Sequence, residues 1–375
     1  MNLSDLFLSP VTPYFMSNSV DQLPEIHQKL CIWFEDQQRS LPWRETYDPY
    51  QVWISEIMAQ QTRMDTVIGY FHRWMEKYPT IQDLAKAEEE ELLKLWEGLG
   101  YYSRARNILK TAKVLQQDFG NQLPQDRKAL ESLPGIGSYT AGAIASIAYQ
   151  QEEPIIDGNV QRVFSRLFDW KEDVAKSVSK KFFTQKGQEL LLNGKARCFN
   201  QALMELGALI CQPQNPSCTD CPLEVHCHAK AKDTIALRPV KAKRPSTIKK
   251  NVILFVIQSG NKYYLEKQAK GALWANMWSF PYFDFKQQGS SLEVAAEDLL
   301  REKFQLRKNF RFLSPFAHSV TRYRIQAYPL LVDSFEATEE NWSKDFSGQW
   351  FSLQELEELS LPKSGVMIRQ QLQDH

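Results

Sequence analysis

The sequence predicts a multi-domain protein: an all-α domain from about Leu23 to His228, then a smaller α+β domain over 251–375. Three observations predict it. Before the cysteine-rich stretch, apolar residues recur at three- and four-residue spacing, as in Leu92, Leu95, Trp96 and Leu99, without strand alternation. The stretch 229–250, AKAKDTIALRPVKAKRPSTIKK, carries eight Lys/Arg against one acid, Asp233, and two prolines, and reads as a basic interdomain linker. Beyond it the texture changes: NVILFVIQ and KYYLEKQ flank the turn SGN as a β-hairpin.

At 375 residues and 43% hydrophobic content, the chain can build two ordinary cores. Its formal net charge is zero, so bulk charge does not announce a nucleic-acid partner. The basic stretch could follow a phosphate backbone or simply be solvated. No run of about 18 apolar residues predicts a membrane span. Residues 1–22 lack a basic segment ahead of their apolar residues, which argues against a signal peptide; a disordered leader is expected, with Met16 as an alternative start. Without export, disulfides do not persist, and clustered cysteines read as metal ligands. Cys31 and Cys198 stand apart and read as small buried hydrophobes.

Taken in order, the first chemical signal is the helix in PYQVWISEIMAQQTRMDTV. Trp53, Ile57 and Gln60 share a face toward which Glu56 leans. A carboxyl beside apolar groups can hold its proton and act as a general acid; on this segment alone the better reading is a boundary glutamate of an amphipathic helix. Next comes LPGIGSYTAGAIASIAY, 133–149, where Gly135 and Gly137 permit a tight hairpin between helices, with Ser138 as N-cap. Backbone N–H groups at such a helix start can hold a phosphate, although Pro-Gly corners are common. Asp157, in PIIDGNVQRVFSR, stands between an apolar run and a new helix, where a carboxylate commonly makes local hydrogen bonds.

CQPQNPSCTDCPLEVHC, 211–227, spaces four thiols as C-x6-C-x2-C-x5-C at the end of the helical segment FNQALMELGALI. Zinc sites favour two close pairs; here only Cys218 and Cys221 form one, with Cys211 and Cys227 set wider. One compact loop supplying four thiolates suits a four-iron cubane, although His226 and His228 leave zinc open. In the second domain, VAAEDLLREKF predicts a helix and FAHSVTRYRIQAYPLLV a strand pair.

The motifs PWRETYDPYQVWISEIMAQQT, GLGYYSRARN, LPGIGSYTAGAI, DGNVQRV, FNQALMELGALIC and the cysteine loop occur in the order found in helix-hairpin-helix DNA glycosylases that carry an iron–sulfur cluster. Over Leu23 to His228 the chain most resembles the MutY-type adenine DNA glycosylases, with weaker resemblance beyond. The resemblance implies a 4Fe–4S cluster on Cys211, Cys218, Cys221 and Cys227. It also implies action on adenine paired with 8-oxoguanine or guanine in double-stranded DNA, by a cytoplasmic, DNA-associated monomer with no membrane partner. Glu56 then matches the general acid and Asp157 the carboxylate that stabilises an oxocarbenium-like sugar. Arg44 and Gln201 match adenine-pocket positions, Gln61 and Tyr101 residues that fill or wedge the opened stack, and Gly135 and Gly137 the phosphate hairpin. Tyr139 stands where bifunctional relatives carry a Schiff-base lysine, which implies a monofunctional hydrolase. The second domain resembles the family's Nudix-like domain, including KGALWANMWSFP, but DLLREKFQL lacks the paired glutamates of a magnesium-binding Nudix helix. The family's Phe-Ser-His loop, which reads 8-oxoguanine, is matched to Phe316, Ala317 and His318, with Ala317 departing from the pattern.

Overall fold

The computed structural model describes residues 23–192, 194–242, 247–269, 274–285, 291–320, 322–332 and 348–374. The leader 1–22 and part of the KGALWANMWSFP motif lie outside them. The helices of the first part are α1 (Leu23–Gln37), α2 (Trp43–Thr46), α3 (Pro49–Ala59), α4 (Met64–Lys77), α5 (Ile81–Ala85), α6 (Glu89–Leu95), α7 (Ser103–Asp118), α8 (Arg127–Glu131), α9 (Ser138–Ala143), α10 (Gly158–Leu167), α11 (Ser177–Leu190), α12 (Ala196–Leu209) and α13 (His228–Ala231). Among the described residues no helix is long and apolar enough to cross a membrane.

The chain divides into two compact units. The first contains residues 1–53, 125–131 and 136–242. Its core follows from heptad-like spacing: α1 buries Ile26, Leu30 and Phe34, each four residues apart on one face. They join Val160, Phe164 and Leu167 of α10, Phe183 of α11, and Phe199, Leu203 and Leu206 of α12. A smaller cluster gathers Val52, Ala143, Ile147 and Ile155, with Tyr47, Tyr139 and Met204 packed on it.

Part of the stretch expected to be a linker belongs to this unit. Ala229 is fully buried, the Thr234 hydroxyl donates to Asp169 at 2.9 Å, and Arg238 Nε lies 2.8 Å from the same carboxylate. Val174 N–H donates to Val240 O at 3.1 Å, and Ala242 N–H to Asp173 Oδ2 at 2.7 Å. The excess positive charge is therefore partly consumed by Asp169, which pairs with Lys232 and Arg238, and composition alone did not reveal it.

The second unit contains residues 54–124, 132–135 and 243–375. In α4 the buried Val67, Phe71 and Trp74 again mark one helical face, and α7 buries Ala105, Ile108, Leu109, Ala112 and Leu115. The later part holds β1 (Ile248–Ser259), β2 (Lys262–Lys267), β3 (Trp278–Ser279), β4 (Tyr282–Phe285), α14 (Leu292–Phe304), β5 (Phe310–Phe312), β6 (Phe316–Val320), β7 (Tyr323–Val332), β8 (Gln349–Ser352), α15 (Glu355–Glu358) and α16 (Lys363–Gln373). The hairpin, the α14 helix and the strand pair expected from the sequence all form.

The mixed sheet explains why β1 reads as an unbroken apolar run. It runs β3-β2-β1-β7-β5, with β4 on β1, β6 on β7 and β8 on β2, and β1 pairs with β7 in parallel. Val252, Leu254 and Val256 face a cluster with Leu356, Leu361 and Ile368 from the C-terminal helices. Ile253, Phe255 and Ile257 face the opposite cluster with Ala296, Leu300 and Phe304 of α14. A strand covered on both sides has no polar face to show.

This sheet domain bonds directly to α6 and α7 within the same unit. Tyr102 donates its hydroxyl to Leu361 O at 3.3 Å and Lys94 Nζ to Leu359 O at 3.2 Å. Asn276 Nδ2 and Trp278 Nε1 donate to Glu89 and Glu90 at 3.1 and 3.3 Å.

Candidate functional site

The first unit holds a buried polar network that begins at Arg44. Its Nε donates to Gln201 Oε1 at 2.9 Å, its Nη2 to Glu205 Oε2 at 2.9 Å, and its Nη1 to Arg39 O at 3.1 Å. Arg39 adds Nε and Nη2 bonds to the two Glu205 oxygens at 2.7 and 2.9 Å, and its backbone N–H a third at 3.0 Å. Burial pushes the Glu205 carboxyl up, but the hydrogen bonds from Arg39 and Arg44 outweigh it and hold it at about 2. Gln201 Nε2 is turned toward Tyr47 Oη, 3.4 Å away. Arg44 and Gln201, matched from the sequence to an adenine pocket, are thus brought together. Glu205 and Arg39, which lock them, were missed. The available signal was Glu205 four residues after Gln201 on an otherwise apolar helix.

Asp157 caps α10. Its Oδ1 accepts from Val160 N–H at 2.7 Å and its Oδ2 from Asn159 Nδ2 at 3.1 Å. Removal from water nevertheless dominates and raises the Asp157 carboxyl above its ordinary value. Glu56 lies on α3 and is 8% exposed; it belongs to the second unit by residue number, whereas Asp157 belongs to the first.

In the 133–137 hairpin Gly135 takes φ +75°, and a Cβ there would come 2.5 Å from Asn107 Cβ. Glycine is required at that position on both counts. Gly137 differs: its φ of −86° is ordinary and a Cβ would meet nothing within 4 Å. The space beside its Cα is open. Gly137, not Ser138, is the N-cap of α9; the Ser138 hydroxyl instead accepts from Arg127 Nη2 at 2.9 Å. Tyr139 is half-buried against the Val52 cluster.

In the second unit, Gln61 and Tyr101 sit on two turns, both exposed and both left-handed, with φ 57° and 48°. Arg104 lies beneath them and was not singled out in the sequence. Its Nη1 donates to the carbonyls of Ile57, Met58 and Gln60 at 2.8, 3.0 and 2.7 Å. Its Nη2 donates to Leu99 O and Gly100 O at 2.9 and 3.1 Å. Burial lowers this guanidinium to about 10, which leaves it charged at neutral pH.

The four clustered thiols are free and half-buried. Burial pushes the Cys221 thiol up to about 12, and the neighbouring Cys211, Cys227 and Cys218 push it the same way, so the four stand within electrostatic reach. Among the described residues no three such donors converge as one ion would require. A cubane takes one thiolate on each iron and needs no such convergence, so the donor set fits a cluster. Arg166 ties the loop from below, through Cys211 Sγ at 3.3 Å and the carbonyls of Gln212 and Pro213 at 2.7 and 3.1 Å.

The loop expected at Phe316–His318 is a strand. Phe316 and His318 point into the core, 8% and 6% exposed, and only Ala317 faces outward, opposite Gln326. His318 lies over Trp274, and burial lowers its pKa, leaving a neutral ring. The period-two alternation of β6 decides which side chains face inward, and the connection of the strand pair lies instead between Val320 and Tyr323, where Arg322 is exposed.

Two families match this chain: HhH-GPD superfamily base excision DNA repair protein over residues 54–187, and NUDIX domain over 252–368. An adenine DNA glycosylase of Buchnera aphidicola subsp. Schizaphis graminum is 34% identical over 342 residues, 90% of this chain and 95% of that protein. The adenine DNA glycosylase of Rattus norvegicus is 41% identical over 60% of this chain, which spans 45% of the rat protein's length. Among solved structures, a thermostable thymine-DNA glycosylase aligns with TM-score 0.53 and 29% identity, over 56% of this chain and 98% of that one. A non-covalent Endonuclease III–DNA complex aligns at 0.50 and 26%, over 58% and 99%.

Proposed function

The chain belongs to the adenine DNA glycosylase family of HhH-GPD base excision repair proteins, and we propose that it hydrolyses the N-glycosidic bond of adenine paired with 8-oxoguanine or guanine in duplex DNA. The observation that carries this reading is the pair of carboxyls the reaction needs, Glu56 buried on α3 and Asp157 shielded at the head of α10. A stacked base cannot be attacked, so the adenine is extruded, with Gln61 and Tyr101 entering the space it leaves. Arg44 and Gln201 hold the base. Glu56 protonates a ring nitrogen, which turns adenine into a leaving group. Asp157 stabilises the positive charge that grows on the sugar as the C1′–N9 bond breaks, and water supplies the hydroxyl that ends at C1′.

Tyr139 offers no amine, so no Schiff base forms and the strand is left intact. The open backbone at Gly137 suits a DNA phosphate. Cys211, Cys218, Cys221 and Cys227 would hold a 4Fe–4S cluster, which cross-links the loop and fixes its shape. The Nudix-like domain would read the base opposite adenine through the Phe316–His318 segment, from which Ala317 faces outward. The test is base release from duplexes carrying adenine opposite 8-oxoguanine, guanine, cytosine or thymine. Release from the first two alone supports the reading; equal release from all four, or none, rejects it.

A further inference from the structure

Gln61 and Tyr101 lie on separate turns, one ending α3 and one preceding α7, and each is held in the left-handed region that non-glycine residues avoid. Such backbone persists only where its surroundings fix it. We propose that Arg104 is a positioning residue for base extrusion, holding Gln61 and Tyr101 at one fixed separation so that they enter the stack as a unit. This rests on the reading that those two side chains enter the stack. Arg104 is 8% exposed, and its two terminal nitrogens bridge the two turns. Nη1 binds the carbonyls of Ile57, Met58 and Gln60 on the Gln61 side; Nη2 binds Leu99 and Gly100 on the Tyr101 side and also reaches the Thr62 hydroxyl at 3.4 Å.

A planar fork with fixed angles can do this; a lysine ammonium, a single point, cannot reach both sets. The charge also sits at the C-terminal end of α3, where the last carbonyls carry partial negative charge. The same side chain lies 5.7 Å from the Tyr101 ring centroid and 5.2 Å from that of Trp96, so the wedge aromatic itself rests over the clamp. Inserting a side chain between bases works against stacking, and a turn that yields under that load fails to extrude the base.

The experiment uses the full chain with Arg104→Lys and Arg104→Met. Extrusion is read by 2-aminopurine fluorescence opposite 8-oxoguanine, and base release by single-turnover rates. Two duplexes are compared, one fully stacked and one whose adenine is already unstacked beside a nick. Losing several charge-assisted bonds should slow release from the stacked duplex about 10- to 100-fold, more for Met than Lys, with the loss largely gone on the unstacked one. In a Gln61→Ala, Tyr101→Ala background, Arg104→Lys should add no further loss. Equal loss on both duplexes, or full additivity in that background, would mean Arg104 serves the fold alone and overturns the proposal. If Arg104→Met does not fold, the Lys variant at unchanged thermal midpoint carries the same comparison. If Gln61→Ala and Tyr101→Ala leave extrusion unchanged, the stack-entry reading itself is wrong; if they slow it and Arg104→Lys does not, only the clamp is.

Discussion

Arg44 and Gln201, 157 residues apart in sequence, are joined by a 2.9 Å hydrogen bond from Nε to Oε1, and Glu205 fixes the arginine from the other side. Glu205 therefore fixes the geometry of the two side chains proposed to hold adenine. Glu205 is 1% exposed and Arg44 10%, so removing the charge leaves a guanidinium buried without its partner. Glu205→Ala should cost about 3–5 kcal/mol, the usual penalty for breaking a buried pair. The sign of the pH dependence follows from the lowered carboxyl: the stabilisation is complete above 4.5 and drains away as pH falls toward about 2. Thermal unfolding from pH 2 to 7 should show the difference between wild type and variant shrinking at the acid end; a constant difference would mean Glu205 acts by packing alone.

Asp157 has the opposite balance. Its folded carboxyl is raised, so ionising it costs stability: its contribution is full below 3.8 and is lost as pH rises through the raised value. Asparagine caps a helix as well as aspartate does. Asp157→Asn should therefore melt higher than wild type at pH 7, with the gain fading in acid, while base release falls about 10²–10⁴-fold. A lower melting point at pH 7 would show that the capping bonds, not the shielding, govern this residue.

Glu56→Gln keeps the shape of a buried side chain and removes its acidic proton. It should still bind mismatched duplex in a gel-shift or fluorescence titration, and should lose about 10²–10⁴-fold in single-turnover excision. Near-normal excision would take Glu56 out of the mechanism.

The parts of the molecule that could be read from sequence are those set by local periodicity. The buried face of α4, the β1–β2 hairpin and the β6–β7 pair all follow from spacing and turn residues. Long-range partners could not be read. Arg104 looks in sequence like any arginine near a helix start, and only the fold brings onto it five carbonyls from the end of α3 and the two turns. The 229–242 segment looks like a solvated linker until Asp169 and Asp173 meet it. The inward setting of Phe316 and His318 was not legible, because a motif match fixes residue type but not which face of a strand a side chain takes.

Four free thiols within electrostatic reach predict a metal-dependent loop. Purified protein should be brown and contain iron and acid-labile sulfide in equal numbers; stoichiometric zinc without sulfide would overturn the cluster. Because ligand binding is coupled to folding, Cys221→Ser should lower the melting point of the helical part as well as strip the metal. Cys221 packs on the core formed by α1, α10, α11 and α12, so the damage should not stay in the loop.

If the Nudix-like domain reads the base opposite adenine, its removal should change selectivity more than chemistry. Its loss keeps the chemical residues in the chain, since Glu56, Asp157, Arg44 and Gln201 all precede residue 242, but it removes partners from the unit that holds Glu56. The cut has to follow Ala242, because 229–242 packs on the helical unit through Asp169 and Asp173. Truncation also strips partners from Tyr102 and Lys94, whose hydrogen bonds end on Leu361 and Leu359. Tyr102 is the chain neighbour of Tyr101, so some loss of extrusion should accompany the loss of reading. These two effects separate by substrate. Lost reading lowers the ratio of excision opposite 8-oxoguanine to that opposite guanine, whereas lost wedge support slows both equally. Tyr102→Phe in the full chain removes the hydrogen bond to Leu361 O, together with the acceptor for Gly98 N–H, and should slow both severalfold at an unchanged ratio, about what neutral hydrogen bonds contribute. A truncated chain with the wild-type ratio would show that the domain serves only as a brace for α6 and α7.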